Sequence, residues 1–222
     1  MKCPLCLSSK EFVNVSGPDK RRYTCCENCF LIFTDTRYHP SKKEEEKRYK
    51  QHKNGIQFPG YVKFLQQAIE PTLPFITKEM KGLDFGCGPE PTLNKLLEQE
   101  GYQCDVYDPI FFPDLPHEKY DYIIATECFE HFFLPARDLQ KLNSLLKPGS
   151  ILTVMTELWS GRSQFNKWYY AKDPTHVSFY NKRTMNFIAN KFGYTIVSEE
   201  LPRVTVMQKN LVEEENPVPE NV

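Results

Sequence analysis

A turn with two glycines, Gly86 and Gly88, is the feature that most constrains the fold of this chain. Residues 83–85 precede the turn as a mainly apolar stretch of strand length. Residues 91–97 follow with a proline at their start and leucines at helical spacing, and Gly101 stands just past the end. Glycine lets the backbone approach a ligand closely, because no Cβ fills that space. The segment therefore predicts a strand, a glycine turn and a helix.

A second apolar stretch ends at Tyr107 and Asp108. An acid at the carboxyl end of the next strand of an α/β sheet can accept hydrogen bonds from both hydroxyls of a ribose, so the pattern predicts a nucleoside site. The dinucleotide fingerprint is incomplete, because Pro91 stands in the place of its third glycine, and no Gly-Lys-Ser/Thr follows. These absences disfavour a pyrophosphate cradle and exclude a P-loop. An ordinary strand–helix turn is the alternative.

These residues resemble motif I of the class I S-adenosylmethionine (SAM) dependent methyltransferases. The resemblance implies a Rossmann-like α/β sheet with helices on both faces and SAM as cofactor. It also implies that the cofactor contacts Asp84, Phe85, Gly86, Cys87, Gly88, Asp108, Thr126 and Glu127. Glu90 departs from the family pattern, since glycine is usual at its position. A carboxylate there would repel the carboxylate of SAM unless it turned outward.

A second block that resembles this family begins with the apolar run at Tyr120 and leads to Glu127, Glu130 and His131. Ligands bind at the carboxyl ends of parallel strands. The resemblance implies that these three side chains line the pocket for SAM and the methyl acceptor. The alternative for His131 is a histidine that only bonds to the backbone.

A third block, residues 173–180, resembles the H-V-S-F-[FY] segment of small-molecule methyltransferases. The resemblance implies that His176 approaches the acceptor. We expect His176, His131 or Glu127 to serve as a general base where the acceptor must lose a proton. A buried histidine that satisfies loop backbone is the alternative for His176.

The remaining patterns predict the elements around this pocket. Helices are predicted over 60–69, ended by Pro71, over 136–146 and between Asn181 and Gly193, with strands over 151–155, 194–198 and 203–208. Only about a dozen residues separate Asp108 from Tyr120, where this kind of fold usually adds a helix and a strand, so the edge strand is predicted to be short or lost. The aromatic residues between 159 and 170 predict either a lid over the acceptor or a hydrophobic cover of the sheet.

Two Cys-x-x-Cys pairs near the amino end, Cys3 with Cys6 and Cys26 with Cys29, have the spacing of a zinc ribbon. Four thiolates leave zinc no open position, so the predicted zinc is structural. Cys25 is an alternative ligand to Cys26, and reduced core cysteines are the alternative to a metal site. Leu7 and Phe30 stand where such ribbons often carry glycine.

Composition limits the partners of the protein. Its 222 residues carry a formal net charge of −1, and no long apolar run occurs, so we expect a cytoplasmic protein without a membrane partner. The basic run Lys20–Arg22 permits a phosphate contact, but it gives only weak support for a nucleic-acid partner.

These interpretations predict a zinc ribbon over 1–38, a charged linker or helix over 39–58, a transferase domain over 59–210 and a disordered acidic tail over 211–222. The expected function is methyl transfer from SAM to oxygen or carbon of a small molecule. The alternative is a ribbon that binds nucleic acid or protein, attached to an inactive methyltransferase-like domain.

Overall fold

The computed structural model describes residues 1–51, 54–114, 118–200 and 202–211. The strands are β1 Phe12–Val15, β2 Tyr23–Cys26, β3 Ile32–Thr34, β4 Lys81–Phe85, β5 Gln103–Tyr107, β6 Tyr120–Thr126, β7 Leu146–Met155, β8 Ser178–Phe179, β9 Tyr194–Glu200 and β10 Val204–Lys209. The α-helices are α1 Lys42–Tyr49, α2 Pro59–Thr72, α3 Leu93–Gln99, α4 Pro135–Ser144 and α5 Lys182–Phe192. The predicted tail from 212 onward lies outside the described residues.

A six-stranded sheet in the order β5-β4-β6-β7-β10-β9 forms the centre of the molecule. The strands β5, β4, β6 and β7 are parallel, whereas β10 and β9 form an antiparallel hairpin beside β7. Ile123 and Ile124 are fully buried in different hydrophobic clusters, because successive side chains of a strand face opposite sides. Leu65 and Leu97 cover one face and Leu139 covers the other. The predicted Rossmann-like sheet with helices on both faces is confirmed.

Strand β5 forms one edge of this sheet, and within the described residues no further strand lies beyond it. After β5 the chain turns back at once, since Asp108 and Phe112 exchange two backbone hydrogen bonds of 3.0 Å. The prediction of a lost edge strand is therefore confirmed for this part of the chain. The cleft above β5 is consequently bounded by a short turn.

Helix α2 corrects one prediction, because Pro71 does not end it. The helix runs to Thr72, although Pro71 has no N–H to donate to the preceding turn. Two other hydrogen bonds hold the last turn: the Thr72 hydroxyl donates to the Ala68 carbonyl over 2.7 Å, and the Leu73 N–H donates to the Ile69 carbonyl. The ends predicted for α5 are confirmed, with Asn181 as N-cap and Gly193 in the left-handed conformation.

The amino-terminal ribbon is part of a second, four-stranded antiparallel sheet in the order β1-β2-β3-β8. Strand β8 belongs to the segment after His176, so the transferase part of the chain supplies the last strand of the ribbon sheet. Its two residues pair with Ile32 and Phe33, so the strand after the second cysteine pair docks onto the rest of the protein.

The aromatic segment beside the ribbon forms a shared core. The Phe165 ring is 1% exposed and contacts the rings of Tyr23 and Phe179 at centroid distances of 5.2 Å. Trp168 joins the same cluster. The hydrophobic-cover interpretation thus fits these residues, and the lid interpretation fits only Tyr169 and Tyr170, which line the cavity described below. Among the described residues no helix has the length and apolar character needed to cross a membrane.

Candidate active site

A cavity of about 1190 Å³ opens at the carboxyl ends of β4, β5 and β6. All of the predicted cofactor and catalytic residues line it, namely Asp84, Phe85, Gly86, Cys87, Gly88, Asp108, Thr126, Glu127, His131 and His176. The three sequence blocks therefore meet in one site, although they are far apart along the chain. A cavity of this size is large enough to hold a nucleoside together with a small second molecule.

The glycine turn forms one wall of the cavity, and its two glycines are required for different reasons. Gly86 has φ +82°, and a Cβ on it would lie 2.6 Å from the Cβ of Cys128. Gly88 has φ +69°, but a Cβ there would meet nothing closer than the Asn54 Nδ2 atom at 3.9 Å. A Cβ at Gly86 would thus clash with Cys128, whereas among the described residues one at Gly88 would have no close neighbour, and both glycines line the cavity.

Asp108 follows β5 and is held by backbone donors. Its Oδ1 atom accepts from the N–H groups of Ile110 at 2.8 Å and Phe111 at 3.0 Å, and its Oδ2 atom accepts from the Gly88 N–H at 3.1 Å. A carboxylate has about four acceptor positions, so one position on Oδ2 remains. Asp108 thus keeps acceptor capacity beyond these three backbone donors.

Asp84 is the last but one residue of β4 and is 1% exposed. Burial raises the pKa of its carboxyl to about 7, and the nearby Asp108 adds to the rise. The Oδ1 atom has no hydrogen-bond partner. A buried carboxylate oxygen without a partner is costly, and a cationic ligand group would relieve that cost. Glu90 turns toward Gln57, whose Nε2 donates to it over 3.4 Å, so its carboxylate does not face the cofactor end of the cavity.

Helix α1 supplies part of the cavity wall, with Lys42, Glu45, Arg48 and Tyr49. Ser41 and Glu44 form a capping box at its start, which fixes where the helix begins. The guanidinium of Arg48 donates to the Asp173 carboxylate at 2.7 and 2.9 Å and so joins the helix to the loop before His176. The segment predicted as a charged linker or helix thus contains a helix without a buried residue, and its Tyr49 and Arg48 line the cavity.

Glu127 begins the segment after β6, with φ 48° in the left-handed region. Arg203 donates to its Oε1 atom over 3.1 Å, and the Tyr170 hydroxyl donates to its Oε2 atom over 3.2 Å. Burial and the nearby Glu130 raise the pKa of Glu127, while the Arg203 guanidinium opposes that rise. Both carboxylate oxygens are thus engaged, and Glu127 lines the same cavity as the two histidines. Nothing in the sequence pattern had indicated Arg203.

His131 and His176 both line the cavity and lie next to each other, with ring centroids 4.8 Å apart. The Nδ1 atom of His131 bonds to the Thr175 carbonyl at 3.1 Å, and that of His176 bonds to the Tyr170 carbonyl at 2.7 Å. A carbonyl can only accept, so each Nδ1 carries the proton and each Nε2 keeps a lone pair. Burial lowers the pKa of His131 to about 4 and that of His176 to about 3. Both imidazoles are therefore neutral at neutral pH.

The four predicted ribbon cysteines form a compact cluster, with all Sγ atoms within 4.8 Å of one another. Cys3 and Cys29 have Sγ atoms 3.4 Å apart, and those of Cys6 and Cys26 are 3.5 Å apart. These separations are close to the roughly 3.8 Å between ligands of a tetrahedral zinc–thiolate site. Cys25 packs in a separate hydrophobic cluster, so Cys26 is the member of the thiol cluster.

The residues after each cysteine pair have the backbone conformation that glycine usually provides in such a ribbon. Leu7 has φ 64° and Phe30 has φ 60°. Their N–H groups donate to the carbonyls of Cys3 and Cys26, respectively, and close the two turns. The donor set and the turns thus fit a structural zinc ion.

Comparisons with known proteins agree with this fold. Residues 58–199 match the family described as "Methyltransferase domain". A SAM-dependent methyltransferase from Archaeoglobus fulgidus aligns with 77% of this chain and 100% of its own, at 14% identity and a TM-score of 0.50. Magnesium protoporphyrin IX methyltransferase from Synechocystis, solved with bound SAH, aligns with 78% of this chain and 97% of its own, at 14% identity and a TM-score of 0.48.

No curated protein sequence gives a significant match. The family match nevertheless spans well over half of the chain, from the start of α2 to the hairpin at β9, and includes the whole of the cavity wall built on β4, β5 and β6. The chain therefore belongs to the methyltransferase-domain family and has the class I methyltransferase fold.

Proposed function

We propose that the protein transfers a methyl group from SAM to a small-molecule acceptor and that a zinc ion stabilises its amino-terminal ribbon. The observation that carries this proposal is the single cavity that the glycine turn, Asp84, Asp108 and the two histidines line together. SAM supplies a methyl group on a positively charged sulfur, so the protein mainly has to align an acceptor with it. The ribbon over 1–38, the α1 segment over 39–58 and the transferase part over 59–210 remain the proposed division of the chain.

The cofactor end of the cavity offers a complementary group for each part of SAM. The free acceptor position on Asp108 suits a ribose hydroxyl, and the unpartnered oxygen of Asp84 suits the ammonium of the methionine tail. Gly88 borders open space, which leaves room beside the turn. Pro109 and Ile110 line the cavity next to Asp108 and give the adenine an apolar surface.

The acceptor end combines aromatic walls with neutral histidines. The Tyr49 ring lies 5.1 Å from the His131 ring, and the Tyr170 ring lies 4.4 Å from the His176 ring. A proton leaves the acceptor when its reacting group is a hydroxyl or a carbon acid. His176 and His131 are the candidates to accept it, because each keeps an Nε2 lone pair.

The test is calorimetric titration of the zinc-loaded protein with SAM and S-adenosylhomocysteine. We expect Asp108→Asn to weaken binding by tenfold or more, because the neutral amide loses acceptor strength toward the ribose and the backbone N–H groups. Asp105→Asn is the matched control, since Asp105 lies on β5, three residues before Asp108, but bonds to Tyr120 and Lys81 and does not line the cavity. If the wild-type protein binds neither ligand, the transferase proposal fails and the ribbon module with an inactive transferase domain replaces it.

A further inference from the structure

We propose that Glu130, His131 and His176 form a second metal site, distinct from the cysteine ribbon, which binds a divalent transition-metal ion at the acceptor end of the cavity. One nitrogen of each imidazole and one carboxylate oxygen of Glu130 lie within 4.8 Å of one another. Two imidazoles and a carboxylate are ligands for first-row ions such as Zn²⁺, whereas Mg²⁺ and Ca²⁺ prefer oxygen alone.

Glu130 provides the strongest indication of a missing partner. The residue is 0% exposed, and its Oε2 atom accepts from the Thr156 hydroxyl over 2.7 Å. Among the described residues its Oε1 atom has no hydrogen-bond partner, and it lies 3.9 Å from the Nε2 atom of His131. A fully buried carboxylate oxygen without a partner is costly unless a positive charge approaches it. A metal ion between Glu130 and His131 would supply that charge.

The two histidines are oriented as metal ligands usually are. A ligating histidine commonly donates its other ring N–H to a backbone carbonyl, which fixes the ring and leaves the ligating nitrogen unprotonated. His131 makes that bond to Thr175 and His176 makes it to Tyr170. Both donor bonds lie on the side of the ring away from the lone pair that a metal would use.

Binding requires the three ligand atoms, which lie within 4.8 Å of one another, to approach by up to about 1.5 Å. Tetrahedral zinc with nitrogen and oxygen ligands holds them about 3.3 Å apart. The 3.9 Å between His131 Nε2 and Glu130 Oε1 therefore has to shorten by about 0.6 Å. A shift of the His131 ring can provide this, because its side chain is 15% exposed, whereas Glu130 is fully buried and held by Thr156.

Three protein ligands leave at least one coordination position open toward the cavity. An acceptor hydroxyl bound there would have a lowered pKa, so it could lose its proton to solvent and attack as an alkoxide or phenolate. This consequence rests on the proposed methyl transfer and narrows the acceptor to a molecule with a hydroxyl group. The metal ion, and not an imidazole, would then activate the acceptor.

Elemental analysis of the dialysed full-length protein tests the site without any need for SAM. After equilibration with micromolar zinc and removal of free metal, we expect two zinc ions per wild-type chain and one per chain in Glu130→Gln and in His131→Gln. Glu90→Gln is the control and should keep two, because Glu90 turns toward Gln57. Thermal unfolding adds a second measurement: excess zinc should raise the Tm of a ribbon-loaded wild-type protein but not that of Glu130→Gln.

One zinc ion per wild-type chain, or two in Glu130→Gln, would overturn the assignment. The result is independent of the proposed function, because SAM binding is measured separately on the same preparation. If the protein binds SAM and only one zinc ion, the transferase proposal stands and the second metal site is rejected. If the protein binds two zinc ions but no SAM, only the transferase proposal is rejected and the second metal site stands.

Discussion

Alanine at each of three glycines separates the cost of a left-handed backbone from the cost of a steric clash. Gly86, Gly88 and Gly193 all have positive φ, at 82°, 69° and 73°. A side chain in that region costs about 1 kcal/mol of the free energy of unfolding. We therefore expect Gly193→Ala and Gly88→Ala each to lose about 1 kcal/mol, because an added Cβ meets nothing closer than 3.9 Å at Gly88 and nothing within 4 Å at Gly193.

Gly86→Ala should lose clearly more. Its Cβ would stand 2.6 Å from the Cys128 Cβ, a distance at which backbone must move, since neither atom is the end of a flexible side chain. Overpacking of this kind costs about 1–3 kcal/mol, so the total loss should reach about 3 kcal/mol. Gly88→Ala should lose as much of the free energy of unfolding as Gly193→Ala does. It should also weaken SAM binding about tenfold, because its Cβ would project into the cavity.

Urea denaturation at fixed zinc concentration measures the three free energies of unfolding, and calorimetry measures SAM binding. Equal losses of stability for Gly86→Ala and Gly193→Ala would refute the argument that Cys128 limits the turn. Unchanged SAM affinity in Gly88→Ala would show that the cofactor does not approach this part of the wall.

Two further predictions concern charge. The unfolded chain ionises the Asp84 carboxyl near pH 4, whereas its raised pKa means that the folded protein does so only near pH 7. The free energy of unfolding of the wild-type protein should therefore fall as the pH rises between these values. Asp84→Asn should remove part of that fall, and an unchanged pH profile in denaturation experiments would contradict the burial argument. The guanidinium of Arg21 donates to the carbonyls of Ala171, Pro174 and His176. Arg21→Gln should therefore lower the free energy of unfolding by about 2 kcal/mol or more, whereas the exposed control Arg22→Gln should change it little. Similar losses in both variants would show that these hydrogen bonds do not stabilise the fold.

The parts of the fold that could be predicted from the sequence are those fixed by local chemistry. The turn at Gly86 and Gly88, the acid after β5 and the cap at Asn181 each depend on a few neighbouring residues, and the structure contains all three. The thiol cluster was predictable for the same reason, since its two pairs have ligand spacing. The choice between Cys25 and Cys26 required the structure, because it depends on which face of β2 each side chain occupies.

The contacts that shape the acceptor end could not be predicted in this way. Arg48 and Asp173 are 125 positions apart, and Arg203 and Glu127 are 76 apart. Charged residues on helix α1 have the same sequence pattern whether they face solvent or a cavity. The pattern therefore predicts only a charged linker or helix over 39–58. Only the packing of α1 against the loop before His176 shows that its charges belong to the site.

The pairing of β3 with β8 also affects how the chain matures during synthesis. The ribbon leaves the ribosome long before Ser178 and Phe179 exist, so the outer hydrogen-bonding groups of Ile32 and Phe33 have no strand to meet at that stage. An unpaired strand edge readily captures other chains. Early binding of the proposed zinc ion by the thiols would stabilise the nascent ribbon until β8 has been synthesised. In a zinc-deficient cell, newly synthesised chains should therefore aggregate before the amount of mature protein falls.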